Sequence, residues 1–497
     1  MTEKVAINRL PTGVPGLDEV LGGGLPEFSF NLIAGQPGCG KTTLAHQIMF
    51  AQATAERPAL YFTVLGEPPL KMLRYQQQFD FFDVDAINNR VRFINLSEEA
   101  MAGDFDLVLR RIVEEVAAQS PALVFVDSFR SVVMAGESSR KKPNNLQHFV
   151  QQLGMLMTTW QATTFLIGEY FDEHDANPVF TVADGLIWLR QSVHRNSMVR
   201  KLEILKMRGQ PTLPGLHTYR MGNAGIEVFA PANAVIPDHM ASRQTASTLS
   251  ARVSLGVPGL DAMLDGGLPR GYSLLLSGPS GSGKSILAAS FLAEGARRGE
   301  KGVVAVFEQR PNPERNPVLA GLIADGSVCL LNSRTPDLSI DEVVRLVMNG
   351  IRSHGATRVV IDSLSGIELA LAPTFRDDFR ESCLRLVTAL SNAGVTVLMT
   401  SELEDRYTDL RFSPYGTAFL TDAIIVQRYI EVDSRLRRVT AVVKVRASAH
   451  SDELREYTID AEGIHMGQML PDQEGLLGGR PRVKDVPRLS VAVGGRR

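Results

Sequence analysis

The chain has 497 residues, too many for one hydrophobic core, which predicts two to four domains of roughly 100–200 residues each. Its 44% hydrophobic and 22% charged residues are those of an ordinary globular protein, and a formal net charge of −3 gives no electrostatic pull toward nucleic acid. No apolar run approaches the roughly 18–20 residues that span a bilayer, the start MTEKVAINRL has no signal-peptide core, and Cys39, Cys329 and Cys383 form no pairable framework or metal spacing, so a reducing, cytoplasmic setting without membrane contact is expected.

In chain order, a predicted strand at 30–34 runs into GQPGCGKT, which fits G-x-x-x-x-G-K-[ST] and opens a helical segment. In such a loop the glycines let backbone N–H groups converge on phosphates, and the helix that follows adds its positive N-terminal end. Gly35, Gln36, Pro37, Gly38, Cys39, Gly40, Lys41, Thr42 and Thr43 are therefore expected to cradle a nucleotide. Lys41 would reach the β- and γ-phosphates and Thr42 would ligate Mg2+. Cys39 occupies a variable loop position, either as a tolerated small residue or as a low-pKa thiol of the kind helix N-termini favour. The next apolar run, 61–65, ends at Gly66, Glu67 and two prolines, which raises Glu67 as a base that activates water. Asp127 closes the strand ALVFVDS (122–128), a position from which a carboxylate holds Mg2+. RSVVMAGESSRKKPNNLQHF (130–149) reads as loop and helix start, and also as a candidate docking surface. The polar, Pro/Ser/Thr-containing stretch 231–251 is expected to separate domains.

Beyond it the chain repeats itself. LGVPGLDAMLDGGLP (255–269) answers TGVPGLDEVLGGGLP (12–26), and LLSGPSGSGKSILA (275–288) answers LIAGQPGCGKTTLA (32–45). The offset is 243 at Gly13/Gly256, at Lys41/Lys284 and at Pro68/Pro311. A strand at 274–277 thus precedes a second phosphate loop of Gly278, Pro279, Ser280, Gly281, Ser282, Gly283, Lys284 and Ser285, with Ser285 in the Mg2+-ligating place of Thr42. Runs 303–307, 359–361 and 395–399 are predicted as buried strands, 339–353 and 376–393 as helices, and 423–446 as a hairpin turning at 433–434. Asp362 closes TRVVIDS (357–363) as Asp127 closes its strand, and KVRA (444–447) repeats KMRG (206–209). The duplication predicts domains at 1–235 and 253–470, a linker at 236–252, and a Gly/Pro/Arg-rich, disordered tail at 471–497. The fold class expected of each copy is α/β, a mostly parallel, helix-covered sheet.

Aligned on the shared proline, VVAVFEQRPNP (303–313) places Glu308 opposite Leu65, Gln309 opposite Gly66 and Arg310 opposite Glu67. A two-residue shift in extended chain moves a side chain about 6–7 Å. A base must lie within hydrogen-bond reach of its water. Glu308 thus sits directly at its strand end and Glu67 two positions further out, so the two cannot serve the same water.

The T-G-x-P-G-L-D and G-G-L-P runs, the paired phosphate loops, the strand-end Asp-Ser and the K-x-R of the last hairpins closely resemble the KaiC family, over residues 9–466. The resemblance implies two tandem RecA-like P-loop NTPase domains, each with a C-terminal hairpin, in a homo-oligomer that forms a hexameric ring. It also implies ATP and Mg2+ between subunits, with a Lys and an Arg of one subunit reaching its neighbour's nucleotide. Those residues would be Lys206 and Arg208 in the first ring, and Lys444 and Arg446 in the second. The catalytic set expected is Glu308, Lys284, Lys444 and Arg446. The family's paired strand-end Glu-Glu, of which the first serves as base, is Glu308-Gln309 in the second copy and Leu65-Gly66 in the first. The resemblance therefore implies Glu308 as the base and leaves Glu67 as a loop charge. Thr421-Asp422 matches a Thr-Asp pair that follows the phosphoacceptors of the clock autokinase, but the acceptor positions hold Ala418 and Phe419, with Thr417 and Ser413 nearby.

The expected function is a signalling or regulatory ATPase that uses its first copy to hold the ring and its second to turn over ATP, with a regulatory protein partner. Two other readings are a Ser/Thr autokinase and a nucleic-acid motor or recombinase of the RecA superfamily; near-neutral charge and 7% aromatic residues lend the latter no support.

Overall fold

A computed structural model describes residues 7–64, 69–102, 104–138, 145–171, 177–231, 251–307, 316–333, 335–403, 419–432, 434–469, 473–474 and 482–483. The chain divides into two compact units, residues 1–235 and 236–497.

In the first unit, nine strands form one sheet: β1 (Phe30–Gly35), β2 (Ala59–Thr63), β3 (Val91–Asn95), β4 (Leu123–Asp127), β5 (Thr163–Glu169), β6 (Gly185–His194), β7 (Ser197–Met207), β8 (Leu216–Gly222) and β9 (Gly225–Phe229). Their order is β3-β2-β4-β5-β1-β6-β7-β8-β9. The strands from β3 across to β6 are parallel, and β6 to β9 pair antiparallel. The parallel strands are covered on both faces, which is why FNLIAG, ALYFT and LVFVD read as continuous apolar runs. Strand alternation sorts their side chains into two cores. Ile33, Tyr61, Phe125 and Phe165 pack with Leu44 and Ile48 of the helix Lys41–Gln52. On the other face Leu32, Leu60, Phe62 and Val124 pack with Val108 and Ile112 of Phe105–Gln119 and with Phe149 and Leu153 of Asn145–Thr159.

The second unit repeats the plan with β10 (Ser273–Gly278), β11 (Gly302–Val306), β12 (Val328–Asn332), β13 (Arg358–Ile361), β14 (Thr396–Glu402), β15 (Ala423–Val432), β16 (Arg435–Val445), β17 (Leu454–Asp460) and β18 (Gly463–Met469). The order is β12-β11-β13-β14-β10-β15-β16-β17-β18, so each strand stands where its counterpart stands in the first sheet. Both sheets are the mostly parallel, helix-covered α/β layers that the sequence predicts.

Local chemistry sets the element ends. The helix predicted at 339–353 runs Ile340–His354 behind a capping box, in which Ser339 Oγ accepts from Glu342 N and Glu342 Oε2 accepts from Ser339 N; Gly355 closes it at φ 68°. The helix predicted at 376–393 is two: Pro373–Arg376 and Phe379–Asn392. The break falls at Asp377-Asp378, and Arg376 turns back to donate to the carbonyls of Leu369 and Leu371. The run 61–65 forms its strand two residues earlier, as β2. Of the predicted linker only residues 251–252 lie among the described residues, and most of the tail lies outside them; within it Gln473–Glu474 pairs antiparallel with Arg482–Val483.

Candidate functional site

The first phosphate loop leaves β1 at Gly35, where φ is 146° and an added Cβ would lie 2.1 Å from the Leu189 carbonyl oxygen of β6. No side chain fits there, so backbone comes close to backbone and the loop can curl. Gln36, Pro37 and Gly38 are exposed at the mouth, and Gly40, with φ 93°, starts the helix at Lys41. The buried Lys41 ammonium donates to the Gln36 carbonyl at 2.8 Å, inside its own loop. Gln191 Nε2 donates to Pro37 O at 3.2 Å, and the buried Tyr219 hydroxyl donates to Cys39 O from β8. Thr43 is buried beneath the loop. Cys39 itself is fully buried, and that burial pushes its thiol up against the opposing pull of Lys41. Of the two readings of Cys39, burial favours the tolerated small residue over the low-pKa thiol, since desolvation outweighs the pull of the lysine.

Behind the loop, Asp127 closes β4 as expected. Its Oδ2 accepts from Thr42 Oγ1 at 2.8 Å and from Tyr61 OH at 2.7 Å. Burial raises the carboxyl above its ordinary range, while these two hydrogen bonds and the charge of Lys41 pull it back and Glu169 pushes it up. Thr42 and Asp127 together offer hard oxygen donors of the kind Mg2+ takes alongside phosphate oxygens, so the residues present fit that ion.

The second loop has the same frame. Lys284 Nζ donates to Gly278 O and Pro279 O, both at 2.8 Å, and Tyr457 OH donates to Ser282 O at 2.6 Å, as Tyr219 does to Cys39. Ser282 Oγ donates to Gln427 Oε1 at 3.1 Å, while Ser280 and Gly281 are exposed at the mouth and Gly283, with φ 97°, starts the helix. Burial lowers Lys284, offset by the charges of Glu402 and Asp362. Asp362 directly follows β13, half-buried, and accepts from Thr400 Oγ1 of β14 at 2.5 Å; Ser285 sits exposed in the first helical turn. Both Asp-Ser bonds, Asp127-Ser128 and Asp362-Ser363, are cis.

The basic pairs stand elsewhere. Lys206, on β7, is in register with Leu186 and through it with Leu32, three positions behind Gly35, or about 10 Å along the strand. It donates to the Phe180 and Thr181 carbonyls at 3.2 and 3.0 Å, and Arg208 pairs with Asp184 at 3.0 Å. Lys444 is likewise in register with Ile424 and Leu275, three positions behind Gly278, and Arg446 lies 3.6 Å from Asp422 and donates to the Phe419 carbonyl. Burial and the neighbouring arginine lower both lysines, and the nearby aspartate raises them. Within one subunit, then, the pairs are not brought to their own phosphate loops.

Glu308, Gln309, Arg310, Leu65, Gly66 and Glu67 lie outside the described residues, as do Ser413, Thr417 and Ala418. Phe419 is half exposed, and the Arg380 guanidinium sits 4.6 Å above its ring. Tyr61, Thr400 and the two tyrosines that hold the loops escape sequence reasoning. Tyr61 and Thr400 sit in the mainly apolar strands β2 and β14, where an aromatic or a threonine reads as core filling, and Tyr219 and Tyr457 sit in the mixed-polarity strands β8 and β17, which carry no phosphate-loop signal. Among the described residues, no helix is long and apolar enough to cross a membrane, and no three His, Cys, Asp or Glu gather to hold a metal.

The sequence profile of the family described as "ATPase: KaiC" matches residues 10–233, 253–318 and 324–470. The circadian clock oscillator protein KaiC of Picosynechococcus sp. is 26% identical over 490 residues, covering 96% of this chain and 92% of its own length. The circadian clock protein KaiC3 of Synechocystis sp. is 26% identical over 506 residues, covering 98% of each chain. Circadian clock oscillator protein KaiC 1 of the same organism is also 26% identical, over 489 residues, with 96% and 92% covered.

Proposed function

This chain belongs to the KaiC family of ATPases, with two tandem RecA-like domains, and from that premise we propose that it binds ATP with Mg2+ at both phosphate loops and hydrolyses it, mainly in the second unit, at the subunit interfaces of a homo-oligomeric, hexameric ring. In this reading it is a signalling or regulatory ATPase that docks a protein partner. Timekeeping belongs to the named relatives and does not follow from the fold.

The observation that carries the reading is the matched register of the two basic pairs. In both units the Lys and Arg stand behind their own loop, three strand positions back or further. Such a pair serves a nucleotide that a neighbouring subunit presents, and an arginine supplied in this way is worth roughly 10³–10⁵ in rate. When phosphate enters, Lys41 and Lys284 exchange loop carbonyls for phosphate oxygens. Thr42 with Asp127, and Ser285 with Asp362, would hold Mg2+, which when bound neutralises phosphate charge. Glu308 takes the proton of the attacking water. Hydrolysis is favoured over autophosphorylation because Ala418 and Phe419 carry no hydroxyl.

The test is steady-state ATPase of assembled, full-length protein. Glu308→Gln is expected to lower turnover by about 10²–10⁴, the usual worth of a positioned base, and Glu67→Gln to leave it near the parent value. Loss of turnover in Glu67→Gln with Glu308→Gln active would reverse the assignment.

A further inference from the structure

The first site contains a group that phosphate chemistry alone does not call for. Tyr61 is fully buried on β2, and its hydroxyl meets the same Asp127 oxygen that Thr42 meets. On the paired strands Tyr61 is level with Phe125 and Thr63 with Asp127, so the phenol leans forward to its diagonal neighbour, within the reach of an aromatic side chain. The ring is packed on several sides. His46 of the phosphate-loop helix lies 4.5 Å away between centroids, Phe93 lies 5.3 Å away, and Phe125 stacks at 5.7 Å with planes 17° apart. A phenol so enclosed cannot exchange Asp127 for water. The second unit has Val304 at this position, which has no donor, and there Thr400 reaches the carboxylate from β14.

We propose that Tyr61 is a positioning residue of the first nucleotide site: it fixes the Asp127 carboxylate beside Thr42 and so sets how tightly that site holds Mg2+ with its nucleotide. The inference rests on the reading of Asp127 as the Mg2+ carboxylate. Groups that orient a metal ligand from outside typically matter by 10–100-fold in metal affinity. Tyr61 acts through Asp127, so its removal changes the metal dependence of binding and spares the phosphate cradle, which Lys41 and the loop N–H groups provide.

The experiment uses the full chain with Lys284→Ala to silence the second loop. Binding of N-methylanthraniloyl-ATP is followed by fluorescence across an Mg2+ titration, for Lys284→Ala alone and with Tyr61→Phe or Asp127→Asn added. Tyr61→Phe keeps the ring and is expected to raise the Mg2+ midpoint about 10–100-fold with the Mg2+-free nucleotide affinity and melting temperature unchanged. Asp127→Asn is expected to abolish the Mg2+ dependence. If Asp127→Asn abolishes it and Tyr61→Phe leaves the midpoint in place, the inference fails alone. If Tyr61→Phe lowers Mg2+-free affinity or melting temperature together with the midpoint, Tyr61 is a core brace and the inference fails as well. If Asp127→Asn binds with an undiminished Mg2+ dependence, the reading beneath it fails.

Discussion

In the first unit the carboxylate behind the phosphate loop is buried and takes hydrogen bonds from Thr42 on the helix and Tyr61 on β2; in the second it is half-buried and, among the described residues, takes one from Thr400 on β14. The backbones around them correspond, down to the tyrosine that braces each loop. β4 and β13 each lie between two parallel neighbours, and the donors come from opposite flanks. A strand-end carboxylate can therefore be oriented from either side of its sheet. A duplicated domain can change that side without moving the cradle. The first arrangement is enclosed by aromatic rings, and the second rests on a threonine. That difference suits a site that holds its ligand beside one that releases it.

The largest break in this comparison is expected from the basic pairs. Arg446→Ala should lower the turnover of assembled protein by about 10³–10⁵, and Arg208→Ala much less, because the proposed division of labour assigns hydrolysis mainly to the second unit. Mixing Arg446→Ala chains with Glu308→Gln chains should restore part of the activity, since each supplies what the other lacks across an interface. Equal losses in the two arginine variants, with no rescue on mixing, would count against both the division of labour and the shared interface.

Next in size is an acid-side difference in stability. His46 is fully buried, and desolvation lowers it to about 4, which the neighbouring Gln76 amide offsets only in part; the second unit has Ala289 there. Its folded value lies below the unfolded one, so the unfolded chain takes up the proton first. The stabilisation is complete above about pH 6.5 and is lost as pH falls toward 4, by about 3 kcal/mol. Both tryptophans, Trp160 and Trp188, belong to the first unit, so indole fluorescence during urea unfolding reports on it selectively. His46→Leu should flatten its loss of stability between pH 6.5 and 4. An unchanged slope would remove His46 as the cause.

The smallest effect sharpens the contrast at the carboxylates. Thr400→Val should raise the Mg2+ midpoint of nucleotide binding at the second loop by about 10-fold, measured with Lys41→Ala silencing the first. The lower end of the range is expected because Asp362 is more exposed to water than Asp127.

The frame of both sites was legible in the sequence because it rests on local rules. Glycine spacing, a lysine at the helix start and an acid at the end of an apolar strand need only the chain's own order to be read. The Thr42–Asp127 contact follows from these rules and is present. What supports the frame was not legible, because it depends on register between distant strands. Tyr61 reads as one more apolar residue in ALYFT until β2 is paired with β4. Lys206 and Lys444 look like hairpin surface residues until a register shift beside each sets them three positions behind the loop. The helix predicted at 376–393 starts three residues later, at Phe379, because Arg376 ends a separate short helix and bonds backward to Leu369 and Leu371.

The placement of β1 also orders events during synthesis. Phe30 pairs with Thr164 and Asn31 with Gly185, so the central strand waits for residues made long after it. Such non-local pairing is slow to form and cannot begin until its partners exist. The first sheet is nonetheless complete at Phe229, before β10 begins at Ser273. At roughly 5–20 residues per second, the ribosome finishes one cradle seconds before the other has a central strand. A small molecule captured by that first cradle stabilises the nascent chain by mass action while its second half is still being translated.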